Sequence, residues 1–190
     1  MHEEVIISGF GGQGTLFAGQ LLAYAGMDEG RFVTFFPSYG PEMRGGTAHC
    51  IVIVSDDPIG SPIIRCPSAV IALNPPSFEK YEPLLKSGGV LVVNSSLVTC
   101  PSTRDDISVV RVPGNDIAHE LGDVRMANVV CLGALLAVRS IVSLDSIKSS
   151  LDEHIPPRRQ KIVEPNKRAL MRGAEFALQK KEETAEASCR

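Results

Sequence analysis

The chain has 190 residues, 44% of them hydrophobic and 22% charged, with a formal net charge of −3. A chain of this size buries about two thirds or more of its unfolded surface, which predicts one compact domain. Lysine and arginine are scattered with no basic stripe, so the electrostatic footprint of a nucleic-acid binder is missing.

Val5-Ile6-Ile7-Ser8 is a short apolar run that ends in glycines, and a helical pattern with Leu16, Phe17, Leu21 and Ala25 follows from Gln13 to Met27. After Gly30, Phe32 to Phe36 reads as a second buried strand closing a β-α-β unit, which predicts a parallel sheet. A polar, glycine-rich loop from Pro37 to Gly46 leads to a strand from Ala48 to Val54, stopped by Asp56-Asp57-Pro58. Ala69–Leu73 and Val90–Val93 are further strands around a helix from Ser77 to Leu85, and Ile107–Val112 is another. Arg125–Ser140 is an apolar helix that must be well covered, and Ser143–Ile155 is an amphipathic one broken by Pro156-Pro157. Pro156 to Lys161 is the candidate hinge before a last helix from Pro165 to Gln179, and residues 180–190 are polar and read as a disordered tail. The alternation gives an α/β class: a single-domain, mostly parallel, Rossmann-like three-layer sandwich over residues 1–179.

Five cysteines (Cys50, Cys66, Cys100, Cys131 and Cys189) stand far apart, without the C-x-x-C spacing of a cluster or zinc site. The histidines share no metal-ligand spacing, and no run approaches the roughly 20 apolar residues of a membrane span. Met1 to Glu4 has neither a basic nor an apolar leader region, so the expectation is a cytoplasmic protein with reduced thiols.

Gly9-Phe10-Gly11-Gly12-Gln13-Gly14 matches G-x-G-x-x-G between a strand and a helix, where Gly9 permits the turn, Gly11 a close ligand approach and Gly14 helix–strand packing. Free amides at the helix start favour a phosphate or carboxylate. A dinucleotide site also needs an acidic residue ending the second strand, where this chain has Phe36-Pro37-Ser38. An anion-accepting or subunit-facing loop is therefore preferred, against the alternatives of an NAD(P)- or flavin-binding oxidoreductase and a nucleotide-sensing module. The run Pro37-Ser38-Tyr39-Gly40-Pro41-Glu42-Met43-Arg44-Gly45-Gly46-Thr47 should share the same sheet rim, offering the Arg44 guanidinium, the hydroxyls of Ser38, Tyr39 and Thr47, and approachable backbone at Gly45 and Gly46. Asn94-Ser95-Ser96 is a third polar bend there, and Asn128 reads as a core amide. Cys50 and His49 are neighbours on a strand and point to opposite faces, so they make no nucleophile–base pair. Nothing in the sequence supplies a complete catalytic set.

With Ser38 to Thr47 added to the first glycine turn, the sequence resembles the gamma subunit of 2-oxoacid:ferredoxin oxidoreductases. Ser55 to Pro62, Ala72-Leu73-Asn74 and Gly88 to Ser96 are similar to that family too, so the resemblance spans Val5 to Phe176. It implies a subunit, inactive alone, of a complex converting a 2-oxoacid, coenzyme A and oxidised ferredoxin to an acyl-CoA, CO2 and reduced ferredoxin, in either direction. It also implies that this chain binds no cofactor alone. Thiamine diphosphate with Mg2+ would lie on alpha and beta partners, and [4Fe–4S] clusters on the beta or a delta partner. The gamma domain would pack over the thiamine entrance, with Gly9, Gly11, Gly12, Gln13, Gly14, Ser38, Tyr39, Arg44, Gly45, Gly46 and Thr47 meeting coenzyme A, a phosphate or a partner. The loop looks most like the 2-oxoglutarate members (2-oxoglutarate synthase), with branched-chain, pyruvate and indolepyruvate members as alternatives. Two copies pairing is the expectation for the isolated chain. His49 departs from the asparagine frequent in similar sequences.

Overall fold

A computed structural model describes residues 1–38 and 47–188. The apolar runs form β1 (His2–Phe10), β2 (Phe32–Ser38), β3 (Thr47–Ser55), β4 (Ala69–Ala72), β5 (Val90–Asn94) and β6 (Ser108–Val112). They make one six-stranded sheet in the order β2-β3-β1-β4-β5-β6. β1, β4, β5 and β6 pair in parallel, while β3 runs antiparallel to both β1 and β2. The expected mostly parallel α/β sheet is present.

Helices α1 (Thr15–Asp28), α3 (Gly114–Glu120), α4 (Ala127–Val138), α5 (Leu144–His154) and α6 (Val163–Ser188) join one apolar cluster with Val5, Ile7, Cys50, Val52, Ile71 and Val92. The alternate residues Ile6, Val70, Leu91 and Val93 face α2 (Pro75–Tyr81) and its Phe78 and Tyr81 instead. Alternation along each strand thus feeds two cores, one per face, and makes the three layers. Ala127 to Leu136 is buried throughout, as a sequence apolar all round but for Asn128 and Gly133 requires.

Several expectations are corrected. β2 does not lie beside β1, because β3 returns between them; β2 is an end strand, half-exposed instead of buried. An apolar run tells that a strand exists but not which neighbour it pairs with. The helix expected from Ser77 to Leu85 is α2 followed by a 3₁₀ turn at Glu82–Leu84. The polar helix α3 was not anticipated, because its segment is short and lacks an apolar stripe. The hinge candidate is a 3₁₀ turn, Pro157–Ile162, leading directly into α6. α6 continues to Ser188, where the sequence suggested a disordered tail from Lys180. Lys180 pairs with Glu183 one turn on, and adding residues to a formed helix costs far less than nucleating one.

Candidate functional site: an amide-lined crevice at the carboxyl end of the sheet

β1 ends at Phe10, and the chain turns through the glycines into α1. Gly14 caps that helix at φ 74°, in the left-handed region, and no side chain among the described residues caps the first-turn amides. The turn is held by Gln13, whose Oε1 accepts from Phe10 N at 2.6 Å while its Nε2 donates to the Leu73 carbonyl at 3.3 Å. Asn74, just past β4, donates to Gln13 Oε1 at 3.4 Å and accepts from Ser77 N at 2.9 Å, capping α2. Asn94 ends β5; its Oδ1 accepts from Gly114 N at 3.1 Å and its Nδ2 donates to Asn115 Oδ1 at 2.9 Å. Asn128, in the first turn of α4, donates to the Gly14 carbonyl at 2.7 Å. Its Oδ1 is buried and has no partner among the described residues.

These bends enclose a crevice of about 160 Å³ lined by Gly12, Gln13, Asn94, Asn115 and Arg125, with Leu73, Val124 and Ala127 as its apolar wall. It opens beyond the carboxyl ends of parallel strands, where open α/β sheets place ligands. Arg125 is exposed and forks onto Asp123, with its Nη2 donating to Oδ2 at 2.6 Å. The uncapped α1 start, the side-chain amides and the guanidinium together suit an anionic group. The volume is below the roughly 300 Å³ at which drug-sized ligands begin, so it has room for a phosphate-sized group and not for a whole dinucleotide.

Of the site residues expected from sequence, Gly12 and Gln13 line the crevice, and Gly9, Gly11 and Gly14 form its turn. Phe10 pairs in register with Thr47, and Ser38 with His49, so the second loop leaves and re-enters the sheet at the same end as the glycine turn. The first and second loops thus share a rim through their flanks. Tyr39, Arg44, Gly45 and Gly46 lie outside the described residues. Asn94 joins the crevice as its position suggested. Arg125 and Asn115 were missed as site residues; the Asp-x-Arg turn before the apolar helix was the available signal for Arg125.

His49 is half-buried, with its ring centroid 5.8 Å from that of Tyr81. Burial, aided by the nearby Lys80 charge, lowers its pKa and favours the neutral imidazole. Cys50 points to the other face and donates to the Thr15 carbonyl at 3.4 Å; burial pushes its thiol up to about 12. A thiol so disfavoured as thiolate is packing, not a nucleophile. Asp28, Glu153 and His154 form a surface grouping where α1 and α5 end, away from the crevice. No described helix is long and apolar enough to cross a membrane.

Fold and crevice together define a Rossmann-like α/β domain with a polar crevice at the carboxyl end of its sheet. The pyruvate ferredoxin/flavodoxin oxidoreductase family matches residues 4–176, and the chain belongs to that family. It is 38% identical over 92% of its length to the ketoisovalerate oxidoreductase subunit VorA of Methanothermobacter thermautotrophicus, of which it spans only 36%. It is 34% identical to the 2-oxoglutarate synthase subunit KorC of Methanocaldococcus jannaschii, with 93% of this chain and 95% of the relative covered. A crystal structure of a keto/oxoacid ferredoxin oxidoreductase gamma subunit from Geobacter sulfurreducens superposes with a TM-score of 0.83 at 33% identity, covering 94% of this chain and 98% of the other.

Proposed function

We propose that this chain is the gamma subunit of a 2-oxoglutarate:ferredoxin oxidoreductase, and that its crevice holds a phosphate of coenzyme A while partner subunits do the chemistry. The carrying observation is the phosphate-sized crevice, where an uncapped helix start, neutral amides and Arg125 converge. The overall reaction takes 2-oxoglutarate, coenzyme A and oxidised ferredoxin to succinyl-CoA, CO2 and reduced ferredoxin, and it is reversible. The chain's part is to bind and orient: remote binding of the nucleotide end lets the thiol of coenzyme A be presented to the acyl group at low entropic cost. Gly9, Gly11 and Gly14 shape that hold, and we assign Ser38, Tyr39, Arg44, Gly45, Gly46 and Thr47 to contacts with coenzyme A or a partner subunit.

Thiamine diphosphate binds through Mg2+, which wants carboxylate and carbonyl oxygens. The described crevice lining offers no carboxylate, so the residues here do not fit that cofactor, and we assign it with the [4Fe–4S] clusters to partner subunits. Preference for 2-oxoglutarate rests on the near-complete mutual coverage with KorC. The 38% identity to VorA keeps a branched-chain 2-oxoacid as the second reading. A dinucleotide enzyme is disfavoured, since β3 occupies the position beside β1 where the ribose-binding second strand would lie.

The test is reconstitution. The purified chain, added to the alpha and beta subunits made without it, restores 2-oxoglutarate- and coenzyme-A-dependent ferredoxin reduction and does not itself bind NAD, NADP or FAD in calorimetry. Micromolar affinity for one of these, or full coenzyme-A-dependent turnover without the chain, overturns the proposal.

A further inference from the structure

The outer face of β2 is the strongest unexplained surface. Phe32 and Phe36, two residues of one strand on one side, are each 49% exposed, while Val33 and Phe35 between them pack into the α1 core. Other large exposed apolar side chains of the described residues, Met27, Leu84, Leu97 and Leu178 among them, stand singly on separate segments. The whole strand Phe32–Ser38 carries no charge. Interface centres have this composition, depleted in charge and enriched in aromatic rings.

Resting on the function proposed above, we infer that this face is where the thiamine-bearing catalytic partner docks. Relatedness supplies the occupant. The domain occurs as a nearly whole chain in KorC but as 36% of the longer VorA chain. In the longer form some face must be covered by the larger remainder of the same polypeptide, and the corresponding partner of a stand-alone chain meets that face as a separate subunit. The uncharged aromatic pair is the described surface best suited to it. Position supports this: β2 ends at Ser38, paired with His49 at the end of the sheet where Phe10 pairs with Thr47 and β1 enters the glycine turn, so one partner seated on β2 reaches the rim as well. A second copy adding its own strand to the β2 edge is disfavoured, because Pro37 lacks the N–H that such a ladder needs. The contact is therefore made by the ring faces, and the partner offers an apolar, uncharged recess to each ring.

The experiment co-expresses the complete complex with Phe32→Asp/Phe36→Asp or with the milder Phe36→Ala, and measures subunit association by affinity pull-down and size exclusion. Circular dichroism of each isolated variant verifies that it is folded. We expect the double variant to lose association at least tenfold while folding as wild type does, and Phe36→Ala to lose less. Unchanged association of a folded double variant overturns the inference and leaves the gamma-subunit reading intact. A wild-type chain that binds no thiamine-bearing partner sinks both. A wild-type homodimer made monomeric by the double variant, with partner binding kept, gives the face to a second copy and overturns the inference.

Discussion

The two ends of the sheet are built from different chemistry. At the carboxyl end, Gln13, Asn74, Asn94 and Asn128 hold the bends by neutral amide hydrogen bonds. At the amino end, charges do the tying: Arg139 forks onto Glu3 at 2.7 and 3.0 Å, Ser68 donates to the same carboxylate, and Arg31 meets Glu29 and the Ile141 carbonyl. The difference teaches how a rim stays receptive. Amides fix backbone without adding net charge, so the field of the α1 start is left uncompensated for a ligand, whereas ion pairs at the far end neutralise one another.

The comparison is sharpened most by alanine at two glycines of matching conformation. Gly14 at the rim has φ 74° and Gly30 near the base has φ 77°. A Cβ at Gly30 meets open space, while one at Gly14 runs into the Asn128 amide. The left-handed conformation costs about 1–2 kcal/mol at either site. Overpacking against Asn128 adds roughly 1–3 kcal/mol at Gly14 alone. Thermal melts should therefore show Gly14→Ala as clearly the more damaging, and equal losses would mean that Asn128 does not brace the turn.

A smaller effect tests the charged end. Burial alone would raise the Glu3 carboxyl, but hydrogen bonds from Arg139 and Ser68 and the nearby positive charges hold it below the usual carboxylate value. A carboxylate depressed in the fold contributes stability that is present above its unfolded pKa and is lost as pH falls through the folded one. Arg139→Met keeps the stem and removes the fork, at a cost of about 1 kcal/mol near neutral pH, discounted for partial solvent screening. The deficit should shrink in urea titrations as pH falls below the ordinary carboxylate range, because the wild type loses the contribution of the ion pair as Glu3 takes up its proton. A deficit independent of pH would show that packing, not charge, is what Arg139 supplies.

Much of this was legible in the chain and some was not, for identifiable reasons. The Val5–Ser8 strand and the glycine turn into a helix are local signals, and each appears where the residues put it. Strand order is not local: Phe32–Phe36 reads the same at an edge as in the middle, so the return of β3 between β1 and β2 was invisible. The crevice was half legible. Gly12, Gln13 and Asn94 follow from strand ends, but the Asn128 bond to Gly14 joins residues 114 positions apart, and only the fold brings them together. The run from Tyr39 to Gly46, which carries the most specific resemblance, lies outside the described residues.

The smallest structural effect is expected at Arg125, and it is the most telling about the rim. Its guanidinium is solvent-exposed and, among the described residues, pairs only with Asp123, two residues away, which also caps the turn through the Arg125 amide. That backbone bond survives Arg125→Ala, so the melting temperature of the variant should match wild type within replicate scatter. If the guanidinium meets a phosphate of coenzyme A, its loss raises the KM for coenzyme A roughly tenfold in the reconstituted complex, about 1.4 kcal/mol, with kcat little changed. That split separates uniform binding from a role in the chemical step. An unchanged KM would leave the helix start and the amides as the whole of the crevice's hold, and a fall in kcat alone would move Arg125 to the reacting end of the ligand.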